Sequence, residues 1–302
     1  MLNMSVDFEK QIVDIAKTIP AGYELASETI PMATEAVYGL DERYGTDSDN
    51  HLEFHNAPHS VDVLRRDVRV TKLLLPYVQP MYLRRIFDLA VLGPAYHDWE
   101  QLLGPGKNEA ASVDYATGQV EEKGGRKLNT KVFKGRLGEV ISASAVTMLD
   151  SGEIIQTNIQ SGSHDPAKFN LAFADINGIA MEGPRRMIRD GTHLYLETVK
   201  DPSFEGLYPF LVDERRFLRQ RLNDIRVKSD IAYYYPDDIE EVYAVMRKAF
   251  HANIDSAHRL AIDIGARPEL KIPIGIVAKS VSTVDRAILG DTLGNLIRRK
   301  LT

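Results

Sequence analysis

Cysteine is absent from the 302 residues of this chain, and its absence excludes a disulfide framework, thiolate catalysis and zinc–thiolate sites. Only His, Asp and Glu remain as candidate metal ligands. No run of 18 apolar residues occurs, and the charges of Asp7, Glu9, Lys10 and Asp14 in the first 17 residues argue against a signal peptide. We therefore expect a soluble, cytoplasmic protein with no membrane partner.

The chain also lacks an excess of positive charge. It contains 37 Lys and Arg residues and 43 Asp and Glu residues, which gives a formal net charge of −6. Charges of both signs are interspersed along the sequence, so no extended basic field would attract nucleic acid. Nucleic acid is therefore not an expected partner. A small anionic substrate would have to meet a local positive charge.

Hydrophobic residues make up 44% of the chain, which is enough for a buried core. Their spacing is mostly helical, as in the face formed by Phe8, Ile12, Ile15 and Ala16. We predict an all-α fold with a helical core over residues 1–190. Residues 191–302 are predicted to form a helical extension packed on that core, or to continue it as one domain.

The predicted helices beyond the first have soft boundaries, and loops rich in Gly or Ser separate several of them. One carries the apolar face of Leu83, Ile86, Phe87, Ala90 and Val91. The others are Ser60 to Leu75, Asn108 to Glu121, Val132 to Leu149, Ala167 to Met181, Glu205 to Leu222, Asp238 to Ile264 and Thr283 to Lys300. Two segments favour strand instead, namely Glu153 to Ile159 and Arg226 to Tyr235.

The first chemically informative segment is Phe54-His55-Asn56-Ala57-Pro58-His59-Ser60-Val61-Asp62-Val63. Pro58 is typical of a first helical turn, so His59 is predicted near a helix start and His55 just before it. The two imidazoles could then point into one cavity. An exposed pair of histidines on a polar loop is the alternative. Asp62, one turn beyond His59, either orients the imidazole of His59 or is a solvated helix residue.

The second segment is an apolar helix that leads into His97-Asp98-Trp99-Glu100, after a Gly93-Pro94 pair that indicates a helix break. A carboxylate beside an imidazole in a buried setting is costly unless a cation or another partner satisfies both groups. A helix cap is the simpler explanation for His97-Asp98 taken alone. In a third segment Asp175 stands inside an otherwise apolar helical turn, where a cap or an arginine partner would also explain it.

Taken together, the order H…HD…D resembles the HD superfamily of metal-dependent phosphohydrolases. The string His55 to Val63 is similar to the HNxxHxxDV signature of cyclic-nucleotide phosphodiesterases. Asn108-Glu109-Ala110-Ala111-Ser112, followed by Ala116, resembles the NExxS element of small bacterial HD phosphohydrolases. The chain departs from the first family at Gln101, where a further histidine is usual, and it shows no purine-clamping pattern in the last hundred residues.

This resemblance implies a helical core that holds one or two divalent ions, with Mn, Mg, Fe, Ni and Zn as candidates. The implied metal ligands are His59, His97, Asp98 and Asp175, and Asp98 would bridge if a second ion binds. His55 matches the proton donor of the phosphodiesterases. Glu109 is a candidate general base, holder of a water near the metal, or helix cap. The implied activity is hydrolysis of a phosphoester by a metal-activated water, and the implied substrate is a small phosphorylated, nucleotide-like molecule.

Arg185, Arg186 and Arg189 are candidates for phosphate contact, although a solvated basic face is the simpler interpretation. Tyr96 and Trp99 are expected in the core. Two other functions remain open at this stage: a di-iron oxygenase, for which His164 is the candidate additional ligand, and a sensor that binds metal or nucleotide without turnover. The sequence also leaves a homo-oligomer open.

Overall fold

A computed structural model describes residues 6–104, 106–148, 154–156, 158–176, 182–200, 202, 204–223, 225–247, 254–256 and 259. The fold is all-α, as predicted. Its helices are α1 Phe8–Ala16, α2 Thr29–Tyr44, α3 Ala57–Leu74, α4 Ile86–Tyr96, α5 Lys107–Lys123, α6 Gly125–Leu128, α7 Lys131–Ser142, α8 Pro166–Ile176, α9 Pro184–Thr198, α10 Phe204–Asn223 and α11 Ile225–Tyr234. Residues 239–247 are helical too, and 3-10 turns cover Leu75–Tyr77 and Pro80–Tyr82.

One antiparallel hairpin interrupts the helices, with β1 Val146–Met148 paired to β2 Ile154–Gln156. The side-chain amide of Gln156 donates a hydrogen bond of 2.7 Å to the carbonyl of Ala172, which attaches the hairpin to α8. The predicted strand over Glu153 to Ile159 is thus confirmed at its centre. The helix predicted to continue to Leu149 instead ends at Ser142, because the chain turns there into β1.

The strand predicted over Arg226 to Tyr235 is wrong, since α11 occupies this segment. Its aromatic and β-branched residues favour strand by composition, but Ile231, Tyr234 and Tyr235 are buried at helical spacing. Their burial against the core decides the local structure. Helices α2, α6 and α9 were not predicted from the sequence, and α6 begins in a Gly-rich segment expected to be a loop.

Helix α4 lies at the centre of the fold and is buried along its whole length. It packs against α2, α3, α7 and α8, so all of its faces are apolar. Gly93 makes this close packing feasible, because a Cβ at this position would lie 2.9 Å from Cγ1 of Val140 and 3.4 Å from Cδ2 of Leu171. The centre of the molecule therefore positions the end of α4, where His97 and Asp98 follow.

The helix break expected at Gly93-Pro94 does not occur, because both residues lie inside α4. Proline has no N–H to donate within the helix, but the carbonyl of Pro94 accepts two side-chain hydrogen bonds. Oγ of Ser60 on α3 donates to it at 2.8 Å, and Nδ1 of His97 lies 2.8 Å from the same oxygen. The proline thus ties α3 to α4 at the level of the histidines.

Residues on both sides of position 190 share one hydrophobic core. Leu218, Ile231, Tyr235, Val242 and Met246 pack in the same cluster as the buried residues of α1 to α8. A smaller cluster joins α9 to α10. Outside the described residues lie the predicted helix Thr283 to Lys300, the histidines His251 and His258, and much of the predicted helix Asp238 to Ile264 beyond residue 247. In the part of the chain that the structure describes, no helix combines the length and apolarity needed to cross a bilayer.

Candidate metal centre

The four residues predicted as metal ligands come together from three helices. His59 lies in the first turn of α3, His97 and Asp98 follow α4 directly, and Asp175 lies near the end of α8. Nε2 of His59 is 3.5 Å from Oδ2 of Asp98 and 3.4 Å from Oδ1 of Asp175. Nε2 of His97 is 3.1 Å and 3.7 Å from the same two oxygens. Two imidazole nitrogens and two carboxylate oxygens thus face one small space.

The facing atoms are buried and unsatisfied. Among the residues that the structure describes, Nε2 of His59, Nε2 of His97 and Oδ2 of Asp98 have no hydrogen-bond partner, although only 5% of His59 and 2% of His97 are exposed. Leaving such atoms without partners costs on the order of 1–3 kcal/mol each. One ligand atom each from His59, His97 and Asp98 lies within 4.8 Å of the others. A divalent cation bound here would satisfy all of these atoms, so the residues fit a metal ion.

The electrostatics of the cluster also favour a cation. Burial opposes ionisation of Asp175, but the imidazoles of His59 and His97, whose Nε2 atoms lie 3.4 Å and 3.7 Å from its Oδ1, outweigh it and hold its pKa below the usual range. Burial likewise opposes protonation of His97, but the charges of Asp98 and Asp175 hold its pKa well above the usual value. Two buried carboxylates thus draw positive charge into the site. A divalent ion would supply that charge and leave the imidazoles neutral.

The local fold fixes the orientation of each ligand. Asn56 caps α3, since its Oδ1 accepts a 3.3 Å hydrogen bond from the backbone N–H of His59. Its Nδ2 donates to the carbonyls of Leu52 and Glu53, which anchors the preceding loop. The carbonyl of Pro94 accepts from Nδ1 of His97, and this assigns the ring proton to Nδ1 and leaves Nε2 free to bind metal. The helix start predicted at His59 is confirmed.

His55 is held beside the four ligands by Glu197, a residue of α9 that the sequence did not single out. The carboxylate of Glu197 accepts from the backbone N–H groups of Phe54 and His55, at 2.6 Å and 3.0 Å, and contacts Nδ1 of His55. Burial disfavours the protonated ring, but the bond to Glu197 and the charges of Asp98 and Asp175 raise the pKa of His55 to about 9. Burial also works against ionisation of Glu197, whose pKa is nevertheless lowered by His55.

The segment that resembles NExxS, residues 108–112, stabilises the loop after His97 and Asp98 through hydrogen bonds. Oδ1 of Asn108 accepts from the backbone N–H of Leu103 at 2.9 Å, and Oγ of buried Ser112 accepts from that of Glu100 at 3.1 Å. Glu109 caps α5, since its carboxylate accepts from the N–H of Gly106 at 2.7 Å. Of the three roles predicted for Glu109, the structure supports the helix cap. Its carboxylate does not lie with the four ligands.

Asp62 fits neither expectation for it, because it is buried in an ion-pair network. Its carboxylate lies 2.6 Å from Nη1 of Arg65 and 3.2 Å from Nη2 of Arg189, and it also contacts Arg186. Neighbouring Asp190 is 2.6 Å from Nη2 of Arg66, whose side chain is 1% exposed. Arg186 and Arg189 thus join α9 to α3 and are not a solvated basic face. The side chain of Arg185 lies outside the described part of the chain.

A cavity of about 340 Å³ borders the cluster at His59 and Phe54 and extends to Asp62, Arg186, Arg189 and His193. It lies beside the four ligands and not over them, because His59 alone of the four lines it. Its arginines already pair with Asp62 and Asp190, so the lining is nearly neutral. The cavity therefore adds space next to the cluster but no strong positive charge.

The remaining candidates lie elsewhere. His164 is exposed, stacks on Tyr233 with ring centroids 4.1 Å apart, and has Nδ1 3.0 Å from the carbonyl of that tyrosine. It is not brought to the cluster. Tyr96 is buried in the core as expected, and Trp99 packs on that core and stacks on Tyr115 at 3.8 Å.

Comparison with protein-family models, with curated proteins and with solved structures finds no match for this chain. The geometry of the cluster is therefore what bears on function.

Proposed function

We propose that this chain is a metal-dependent phosphohydrolase, acting on a small phosphoester such as a nucleotide. His59, His97, Asp98 and Asp175 hold a divalent ion, and His55 donates a proton to the leaving group. The observation that carries this proposal is the convergence of three buried, unpartnered ligand atoms, from His59, His97 and Asp98, beside an imidazole that a carboxylate holds in place.

When bound, the ion would polarise the phosphoryl group and lower the pKa of a water molecule toward neutrality. Hydrolysis breaks the bond between phosphorus and the leaving oxygen, and the attacking water, whose oxygen takes the place of the leaving oxygen, releases one proton to solvent. His55 supplies the proton that the leaving oxygen needs, from Nε2, because Nδ1 is engaged by Glu197. After transfer the ring is neutral and keeps its bond to Glu197, so its orientation is unchanged while Nε2 regains a proton from solvent for the next turnover.

The two other candidate functions have less support. A di-iron oxygenase would draw on His164 as an additional ligand, but this residue stacks on Tyr233 instead. A sensor without turnover would need the metal ligands but not the His55–Glu197 pair. That pair favours an enzyme over a sensor.

The test is hydrolysis of bis-p-nitrophenyl phosphate and a panel of nucleotides by metal-stripped protein reloaded with Mn²⁺, Mg²⁺, Ni²⁺ or Fe²⁺. Asp98→Ala removes a ligand, and Asp114→Ala, at an exposed position of α5, is the matched control. We expect turnover that requires metal, survives in the control and disappears in Asp98→Ala. Stoichiometric metal binding without turnover of any phosphoester would overturn the proposal, and oxygen consumption with Fe²⁺ would then be measured.

A further inference from the structure

The two oxygens of Asp98 have different environments. Oδ2 faces the imidazoles, 3.1 Å from Nε2 of His97 and 3.5 Å from Nε2 of His59, and has no hydrogen-bond partner. Oδ1 accepts a hydrogen bond of 2.8 Å from the side-chain amide of Gln101. One oxygen is thus free for a metal ion, while the other is already engaged.

The orientation of the Gln101 amide follows from chemistry. If the amide were rotated, its carbonyl oxygen would lie against a carboxylate oxygen, and two acceptors would repel each other. The NH₂ group must therefore face Asp98. A cation that approached Oδ1 from this side would meet the positive end of the amide dipole.

The position of Gln101 is set by several contacts. Its backbone N–H donates to the hydroxyl of Tyr44 at 3.1 Å and to Oε1 of Glu100 at 3.0 Å. Ser112 holds the next residue toward Asp98 through the N–H of Glu100. The amide is therefore placed against Asp98 by the fold of the loop, and not by the side chain alone.

The net charge of the candidate ligands also favours a single divalent ion. Two carboxylates and two neutral imidazoles carry a charge of about −2, which a single divalent ion neutralises. The nearby carboxylates have other partners: Glu100 lies 2.7 Å from Nη2 of Arg43 and accepts from the N–H of Leu102, and Glu197 holds His55. Neither is available to offset the charge of a second ion.

We propose that the centre binds one divalent ion per chain, and that Gln101 enforces this number by occupying the Asp98 oxygen through which a second ion would bind. The inference rests on the proposed metal site. Gln101 is in this view a positioning residue, because it acts on the ion through Asp98.

The experiment is a titration of the metal-stripped full chain with Mn²⁺, with bound metal measured by equilibrium dialysis and elemental analysis. Electron paramagnetic resonance of the same samples separates isolated Mn²⁺ ions from spin-coupled pairs. Gln101→Glu replaces the donor by a potential ligand, and Gln79→Glu, at an exposed position, adds the same charge away from the site.

We expect one Mn²⁺ per chain with an isolated-ion spectrum for the wild type and for Gln79→Glu, and two ions with a coupled spectrum for Gln101→Glu. Two coupled ions in the wild type would overturn the inference about number and leave the proposed metal site standing. A single ion in folded Gln101→Glu would remove the role given to Gln101. No bound Mn²⁺ in the wild type would overturn the metal site itself. The wild-type count decides the main point even if Gln101→Glu does not fold.

Discussion

Glu197 accepts a hydrogen bond from the backbone of His55 and contacts Nδ1 of its ring, although 142 positions separate the two residues in the sequence. The backbone bond fixes the loop that carries His55, and the ring contact fixes how the imidazole is turned. Nε2 is thereby free for the proton donation proposed above. Glu197 on α9 thus fixes the orientation of His55, which lies just before α3.

Replacing Glu197 by Gln should slow turnover without removing the metal. The amide cannot accept as strongly from Nδ1, so His55 loses both its orientation and the stabilisation of its protonated ring. We expect kcat to fall by about 10- to 100-fold, less than the full ~10²–10⁴-fold contribution of general acid catalysis because the imidazole remains, with little change in KM. Steady-state kinetics at saturating Mn²⁺, together with metal content, measure this effect.

The matched control for that variant is Glu42→Gln on exposed α2 surface, which should behave as the wild type. Loss of bound metal in Glu197→Gln with unchanged kcat per bound ion would contradict the assignment.

Metal binding should stabilise the fold through His97. A ligand present at 100 times its Kd stabilises a protein by about 2.7 kcal/mol, which raises the Tm by several degrees in a chain of this size. We expect this rise with Mn²⁺ in the wild type and none in His97→Ala, measured by differential scanning fluorimetry. His164→Ala serves as control and should keep the full rise. An equal rise in His97→Ala would show that the ion binds elsewhere.

Because Arg66 and Asp190 form a buried ion pair, the free energy of unfolding should decrease at acid pH. Burial raises the pKa of Asp190, but Arg66, Arg189 and Arg186 outweigh this and hold it below the usual value. A carboxyl with a lowered folded-state pKa contributes stability that is fully present above its unfolded pKa, near 4. That contribution is lost as the pH falls through the lower folded-state pKa.

Asp190→Asn should therefore lower the free energy of unfolding by about 3 kcal/mol at neutral pH, because it leaves Arg66 buried without its nearest partner. The difference from the wild type should shrink as the pH falls below the unfolded-state pKa near 4, and should change no further once the pH is below the folded-state pKa. Urea unfolding over a pH series measures it. Asp213→Asn disrupts an exposed pair with Arg216 and should change nothing measurable. A difference that does not depend on pH would contradict this account.

Two glycine substitutions should change stability in opposite directions. In Gly93→Ala the new methyl group would lie 2.9 Å from Val140 and 3.4 Å from Leu171, and such overpacking costs about 1–3 kcal/mol. In Gly118→Ala, within α5, the methyl group meets nothing within 4 Å, so helix propensity alone should stabilise by roughly 0.5–1 kcal/mol. Chemical denaturation of both variants measures the signs, and a stabilising Gly93→Ala would show that α7 or α8 can move away.

The four candidate ligands were predicted from the resemblance carried by the order H…HD…D, because each local pattern taken alone had a simpler explanation. The structure brings their side chains together, and the role of these residues as ligands stays a prediction. His55 and His59 flank a helix start that Asn56 and Pro58 indicate, and His97 and Asp98 follow an apolar run. Local patterns also gave the all-α class. The strand predicted at Arg226 to Tyr235 is wrong because residue composition favours strand there while packing of Ile231, Tyr234 and Tyr235 favours helix.

The partners of these residues could not be predicted in the same way. The carboxylate of Asp62 pairs with Arg189, which is 127 positions away, so no pattern near Asp62 indicates this partner. Glu197 stands in a helix whose sequence carries no recognisable motif, so no pattern links it to His55. Gln101 differs from the family pattern, but only the fold of the loop shows that its side chain donates to Asp98.

The two hydrogen bonds to the carbonyl of Pro94 should affect the rate at which a metal ion binds. It accepts from Ser60 and from His97, so the α3–α4 junction and the ring of His97 are set before an ion arrives. Ion capture then needs little rearrangement of the chain, and its speed should follow how readily each metal sheds its hydration water. Ni²⁺, which exchanges water slowly, should enter this protein more slowly than Mn²⁺ even where it binds more tightly at equilibrium.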